Sequence, residues 1–80
     1  MMDRSTPTRL TAEQADRFKR LVAPHLAVLL RTARYLTHHD QQAEDLAQDT
    51  MMKAMRAIDR FQEGTDIKAW LMTILRRAHI

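Results

Sequence analysis

The sequence predicts an all-α fold, a compact bundle of three to four helices, and three observations carry that prediction. One glycine and two prolines among 80 residues leave almost no material for hairpin turns. Alanine, leucine, methionine, glutamine and arginine, the favoured helix formers, are abundant. Apolar residues also recur at spacings of three and four along most of the chain. With 45% apolar residues, 29% charged residues and no cysteine, the chain is one small domain. No disulfide restricts its unfolded state, so apolar packing alone must offset the cost of ordering it.

The elements follow in order. Residues 1–10 include Ser5, Thr6, Pro7 and Thr8 without periodicity and read as a flexible leader, with the helical domain occupying 11–80. Thr11 followed by Gln14 has capping-box spacing, so a first helix begins there, with Phe18, Leu21 and Val22 as its apolar stripe. Pro24 ends that helix or opens the next, whose inner positions run Leu26, Leu29, Leu30, Ala33 and Leu36 and which stops near His38, His39 and Asp40. Asp40 can cap a third and longest helix with Ala43, Leu46, Ala47, Thr50, Met51, Ala54, Ile58 and Phe61 inward. Gln62 to Thr65 interrupt it, with the single glycine placed as a helix C-terminal residue. Thr65 or Asp66 then caps a fourth helix that buries Ile67, Trp70, Leu71, Ile74, Leu75 and Ala78.

The net charge of +3 is unevenly spread. Residues 1–39 hold seven basic and three acidic groups, 40–63 three and six, and 64–80 three and one. Asp40, Glu44, Asp45 and Asp49 precede any compensating lysine or arginine in the middle block, which suits a basic partner there and an anionic one at the basic ends. The plainer reading is that these charges solvate the outer faces of helices.

Catalysis finds no setting. No histidine stands three residues after a glutamate, so the Glu-x-x-His pairing of di-metal bundles is missing, and His38, His39 and Asp40 offer one corner of a metal site without complementary ligands. Ser5, the one serine, lies in the leader, and one glycine cannot build a phosphate loop. No cofactor, catalytic residue, metal site or small-molecule substrate is therefore expected. No apolar run approaches the roughly 18 residues of a membrane span and no signal peptide opens the chain, which predicts a cytoplasmic protein.

Two binding surfaces stand out. At about 100° per residue, Asp45, Gln48, Asp49, Met52, Arg56 and Asp59 share or flank the face opposite the apolar stripe of the third helix. An acidic strip that continues into an exposed methionine suits docking on a basic partner helix, although a solvated face with one gap-filling methionine has the same pattern. On the fourth helix Trp70 lies at the edge of the stripe, with Thr73 and Arg77 along that edge. An indole beside a guanidinium supplies a stacking plane and a cation, the ingredients of single-strand binding, against the alternative that Trp70 only fills the core.

Two blocks carry a family resemblance. Ala43-Glu44-Asp45-Leu46-Ala47-Gln48-Asp49 resembles the acidic "DAEDLVQE" signature, and Ile58-Asp59-Arg60-Phe61 followed by Gly64-Thr65-Asp66-Ile67-Lys68-Ala69-Trp70-Leu71 resembles "LDRF..GT..RAWL". Both belong to region 2 of extracytoplasmic-function sigma factors of bacterial RNA polymerase, and the likeness extends more loosely back to about Phe18. The resemblance implies a promoter-recognition domain of three to four helices. It implies that Asp45, Gln48 and Asp49, with Met52 and Arg56 on the same strip, dock on the clamp helices of the polymerase β′ subunit. It further implies that Gln62, Glu63, Gly64, Thr65, Asp66 and Lys68 contact the non-template strand of the −10 element, with a flipped base held by the loop. Trp70, Thr73, Arg76 and Arg77 would lie along the same DNA path, and an anti-sigma factor would be a second partner for these surfaces.

The sequence departs from the family pattern in places. Ala47 replaces a bulkier aliphatic, which predicts a gap filled by Met51, and Arg77 replaces an asparagine. Ile67 and Lys68 stand where housekeeping sigma factors are aromatic, so the melting apparatus is sparse. The chain ends near the close of region 2, which predicts an excised domain without the helix-turn-helix domain for the −35 element. Two other functions compete. One is a sigma-like decoy or adaptor that binds an anti-sigma factor without DNA; it would have no need of Trp70, Arg76 and Arg77 beside a base-sized loop. The other is a duplex-binding helix-turn-helix, which the inward Ile67, Trp70 and Leu71 disfavour.

Overall fold

A computed structural model describes residues 11–79. The leader expected over 1–10 lies outside the described residues. Four α-helices follow one another: α1 (Ala12–Val22), α2 (Leu26–Thr37), α3 (Asp40–Ala57) and α4 (Ile67–His79). Short 3-10 turns at Ala23–His25 and Ile58–Arg60 follow α1 and α3. The all-α bundle is thus as expected.

Local chemistry explains where the helices start. Thr11 accepts from the Gln14 N–H while the Gln14 side chain accepts from the Thr11 N–H, the reciprocal box predicted for α1. Pro24, whose ring fixes φ, occupies the 3-10 turn and so lies in neither helix. The junction between α2 and α3 differs from expectation. His38 takes the left-handed conformation (φ 58°) that closes α2, and its N–H returns to Arg34 O at 2.8 Å. His39, not Asp40, caps α3: its Nδ1 accepts from the Gln42 N–H, and Asp40 is already the first helical residue. There Asp40 still favours the positive helix start and pairs with Arg34 at 3.5 Å.

The core is the seam between α2, α3 and α4. Val22, Leu29, Ala33, Ala43, Leu46, Ala54, Ile58, Phe61, Leu71 and Leu75 are buried, with Trp70, Ile67, Ile74, Ala78 and Met51 packed against them. Thr50 is the buried polar residue of the seam, and its hydroxyl donates to Leu46 O at 2.8 Å, so no unpaired donor enters the core. Leu26, expected on the α2 stripe, is 43% exposed at the first position of the helix. The α1 helix stands to one side: Phe18 and Leu21 pack on the core, and its polar flank lies against the turn Ile58–Arg60.

Gly64 also departs from expectation. The helical run ends at Ala57 and tightens to 3-10 as far as Arg60, and Phe61 is extended (φ −73°, ψ 128°), so the glycine caps no helix. It is the third residue of a separate turn closed by Thr65 N–H to Gln62 O at 3.2 Å, with φ +97°, the position at which type II turns demand positive φ.

Candidate functional site

The outer face of α3 forms first, because it needs nothing but its own helix. Burying Ala43, Leu46, Thr50 and Ala54 turns Asp45, Gln48, Met52 and Arg56 outward, and all four are exposed. Asp49 lies at the edge, half-buried, and pairs with Lys53 at 2.9 Å. Gln41 donates to Asp45 at 3.2 Å. Met52 is 48% exposed although the helix has an apolar side available, so the thioether is presented outward among polar groups. Beside this strip Thr37, Gln42, Asp45, Leu46, Asp49, Ala78 and His79 line a shallow depression of about 420 Å³.

The chain after α3 is the second surface. Phe61 drives its ring into the core against Trp70, with centroids 5.1 Å apart and planes tilted by 50°. Trp70 is therefore half-buried, packed on one aromatic neighbour rather than standing free at the helix edge. Beyond Phe61, residues Gln62 to Asp66 are all exposed. Their polar groups are partly committed. The Thr65 hydroxyl donates to Gln62 O at 2.6 Å, and the Asp66 carboxylate accepts from the Ala69 N–H at 3.1 Å, which makes Asp66 the cap of α4.

On α4, Asp66, Lys68, Ala69, Met72, Thr73 and Arg76 border a shallow groove of about 380 Å³ that runs from the loop along the exposed side of the helix. The Thr73 hydroxyl is turned back onto Ala69 O at 3.0 Å. Arg77 is exposed but does not border this groove, and neither does Trp70. The structure thus brings Lys68, Thr73 and Arg76 together with the loop and leaves Trp70 and Arg77 on the adjoining flank.

The sequence reading missed the residues that hold the loop. The Arg17 guanidinium of α1 donates from Nη1 to Ile58 O at 2.7 Å, from Nη2 to Phe61 O and from Nε to the Glu63 carboxylate at 3.0 Å. It also lies 6.0 Å from the centroid of the Phe61 ring. Arg20 reaches the same carboxylate at 3.3 Å, and Gln14 donates to Asp59. Hydrogen bonds from Arg17 first, then from Arg20, hold the Glu63 carboxyl below its usual range. The available signal was faint: Gln14 and Arg17 stand four residues before Phe18 and Leu21, so they border the apolar stripe and face whatever it packs on.

Among the described residues no group of three or more His, Asp or Glu side chains could hold a metal ion, and no helix is long and apolar enough to cross a membrane.

Residues 21–80 match the sigma-70 region 2 family. Over 41 residues the chain is 46% identical to the ECF RNA polymerase sigma factor EcfG of Rhodopseudomonas palustris, covering 51% of this chain and 23% of that protein. Over 44 residues it is 43% identical to the RNA polymerase sigma factor YlaC of Bacillus subtilis, covering 55% and 25%. Over 69 residues it is 38% identical to the ECF RNA polymerase sigma factor BldN of Streptomyces coelicolor, covering 85% and 26%. The chain spans about a quarter of the length of these curated relatives. No solved structure matches it significantly. The acidic outer strip of α3, the clipped loop and the basic start of α4 all lie within the matched stretch, and the chain belongs to the sigma-70 region 2 family as a region 2 domain of an extracytoplasmic-function sigma factor.

Proposed function

We propose that this domain recognises promoter DNA in transcription initiation, bridging RNA polymerase and the melted −10 element. The outer strip of α3, with Asp45, Gln48, Asp49, Met52 and Arg56, docks on the β′ clamp helices. The loop Gln62–Asp66 with Lys68, Thr73 and Arg76 takes the non-template single strand, and Trp70 and Arg77 flank its path. The domain itself performs no catalysis. An anti-sigma factor covering the same two surfaces is its regulatory partner.

One observation carries this reading: within the family match, α3 presents an uncovered methionine on an acidic strip while an adjoining exposed loop opens onto a groove edged by Lys68 and Arg76. Acidic and apolar together suit a basic amphipathic helix, and a basic groove suits a phosphate chain.

The test compares binding of the chain to single-stranded −10 oligonucleotides, to the same sequences as duplex and to a β′ clamp-helix fragment. The reading expects binding to the fragment and to single strands over duplex. With Lys68, Arg76 and Arg77 as the cations, single-strand affinity falls with salt at a log-log slope of roughly 2. A salt-independent affinity refutes an electrostatic strand site. Binding to an anti-sigma factor with none to DNA refutes the promoter reading in favour of a decoy.

A further inference from the structure

The loop offered to DNA is held from outside the family match. Arg17 and Arg20 belong to α1 and precede residue 21, where the match begins, yet their guanidinium groups end on the segment 58–63. Two features make Arg17 more than a surface ion pair. Its side chain is only 24% exposed, and all three of its nitrogens are engaged. Its targets are also acceptors with capacity to spare. Phe61 turns extended and leaves its carbonyl behind, and Ile58 O, already accepting from Phe61 N–H at 3.1 Å, has a second lone pair free at the end of a helical run. A planar fork of donors at a helix C-terminus meets both carbonyls and the local negative dipole at once.

We propose that Arg17 is a positioning residue for base recognition: from α1 it fixes the chain Ile58–Glu63, and together with Arg20 it withdraws the Glu63 carboxylate from the reading of bases. The inference rests on the promoter reading of the loop given above. It also assigns the reading within the loop. Glu63 is engaged by two guanidiniums, the Asp66 carboxylate by the α4 start and the Thr65 hydroxyl by Gln62 O. The Gln62 side-chain amide makes no hydrogen bond among the described residues, so it is the loop group that offers a base edge both an uncommitted donor and an uncommitted acceptor.

The test measures affinities of the chain for four single-stranded −10 oligonucleotides differing in one base, at each position in turn, with clamp-fragment affinity as the control. In Arg17→Ala the spread of affinities across the four bases narrows about fivefold or more at the position the loop reads, while clamp affinity stays within about twofold. Strand affinity also falls overall, because Glu63 is then paired with Arg20 alone and repels phosphate more strongly. Arg17→Lys behaves the same way, since an ammonium cannot span two carbonyls and a carboxylate in one plane. The double variant Arg17→Ala/Glu63→Gln recovers strand affinity without recovering the spread, a separation that a merely destabilising change would not produce. If Arg17→Ala loses its helicity, Arg17→Lys decides. A parent-like spread in either folded Arg17 variant overturns the proposal, as does loss of the spread in Glu63→Gln, which would make Glu63 itself the reader. A parent chain that binds no single strand overturns the promoter reading instead, and the positioning role falls with it.

Discussion

The outer face of α3 and the chain that follows it are neighbours in sequence and are held in opposite ways. The polar contacts on the α3 face come from within the helix: Gln41 with Asp45 and Asp49 with Lys53, each four residues apart. The segment from Ile58 to Glu63 is tied to α1, 41 to 46 residues earlier in the chain. A helix face keeps its shape as long as the helix is folded. A loop held by distant side chains must pay about 1–2 kcal/mol per ordered residue and depends on every anchor. One surface here is a by-product of the core, while the other has to be assembled.

The largest loss is expected at Phe61, which belongs to the core beneath both surfaces. Its ring is 5% exposed and lies against Trp70, so Phe61→Ala should cost about 3–5 kcal/mol of stability. A small bundle has little more than that in reserve. Chemical denaturation should show the loss, and both surfaces should fail together; a cost under about 1 kcal/mol would mean that the loop is anchored elsewhere.

A sharper cut separates the two. Reversing Asp45 and Asp49 to lysine leaves the buried stripe of α3 intact, so stability should change by no more than about 1 kcal/mol even with the Lys53 pair lost. Clamp-fragment affinity should fall about a hundredfold, because like charges would then face one another, while single-strand affinity does not fall. Titration of the fragment with parent and variant checks this, and equal affinities would remove the strip from the polymerase interface.

The mildest probe is acid. Because Glu63 has a lowered carboxyl pKa in the folded state, its contribution is fully present above the ordinary value of 4.5 and is lost as the pH falls through the lower folded-state value. Urea midpoints of the parent and of Glu63→Gln should therefore differ at neutral pH and converge in acid. A difference that is independent of pH would mean that the Arg17 and Arg20 contacts carry no charge-linked stability.

The same contrast explains what the sequence made legible. Helix type, the α1 capping box and the burial of Leu29, Leu46, Leu71 and Leu75 follow from periodicity and local hydrogen bonding, which act within a few residues. The outward position of Met52 is equally local. The clip by Arg17 is not, because nothing in the neighbourhood of an arginine on α1 says that a carbonyl at residue 61 will come to it. Asp40 misled for a related reason. Any of several polar residues at the α2–α3 junction could cap, and the choice fell to His39 once His38 had turned left-handed to end α2. In the sequence Gly64 reads as a helix end, because its conformational need is visible there while the extended Phe61 before it is not.

A methyl group built on Gly64 would meet nothing within 4 Å, yet the backbone stands at φ +97°. The site demands a handedness and tolerates bulk. An 80-residue chain is within reach of chemical synthesis by ligation, and there a D-alanine at this position would fit the turn that an L-alanine strains, while removing freedom that glycine retains in the unfolded chain. The mirror-image residue would keep the handedness that the turn demands while leaving the unfolded chain fewer conformations to lose.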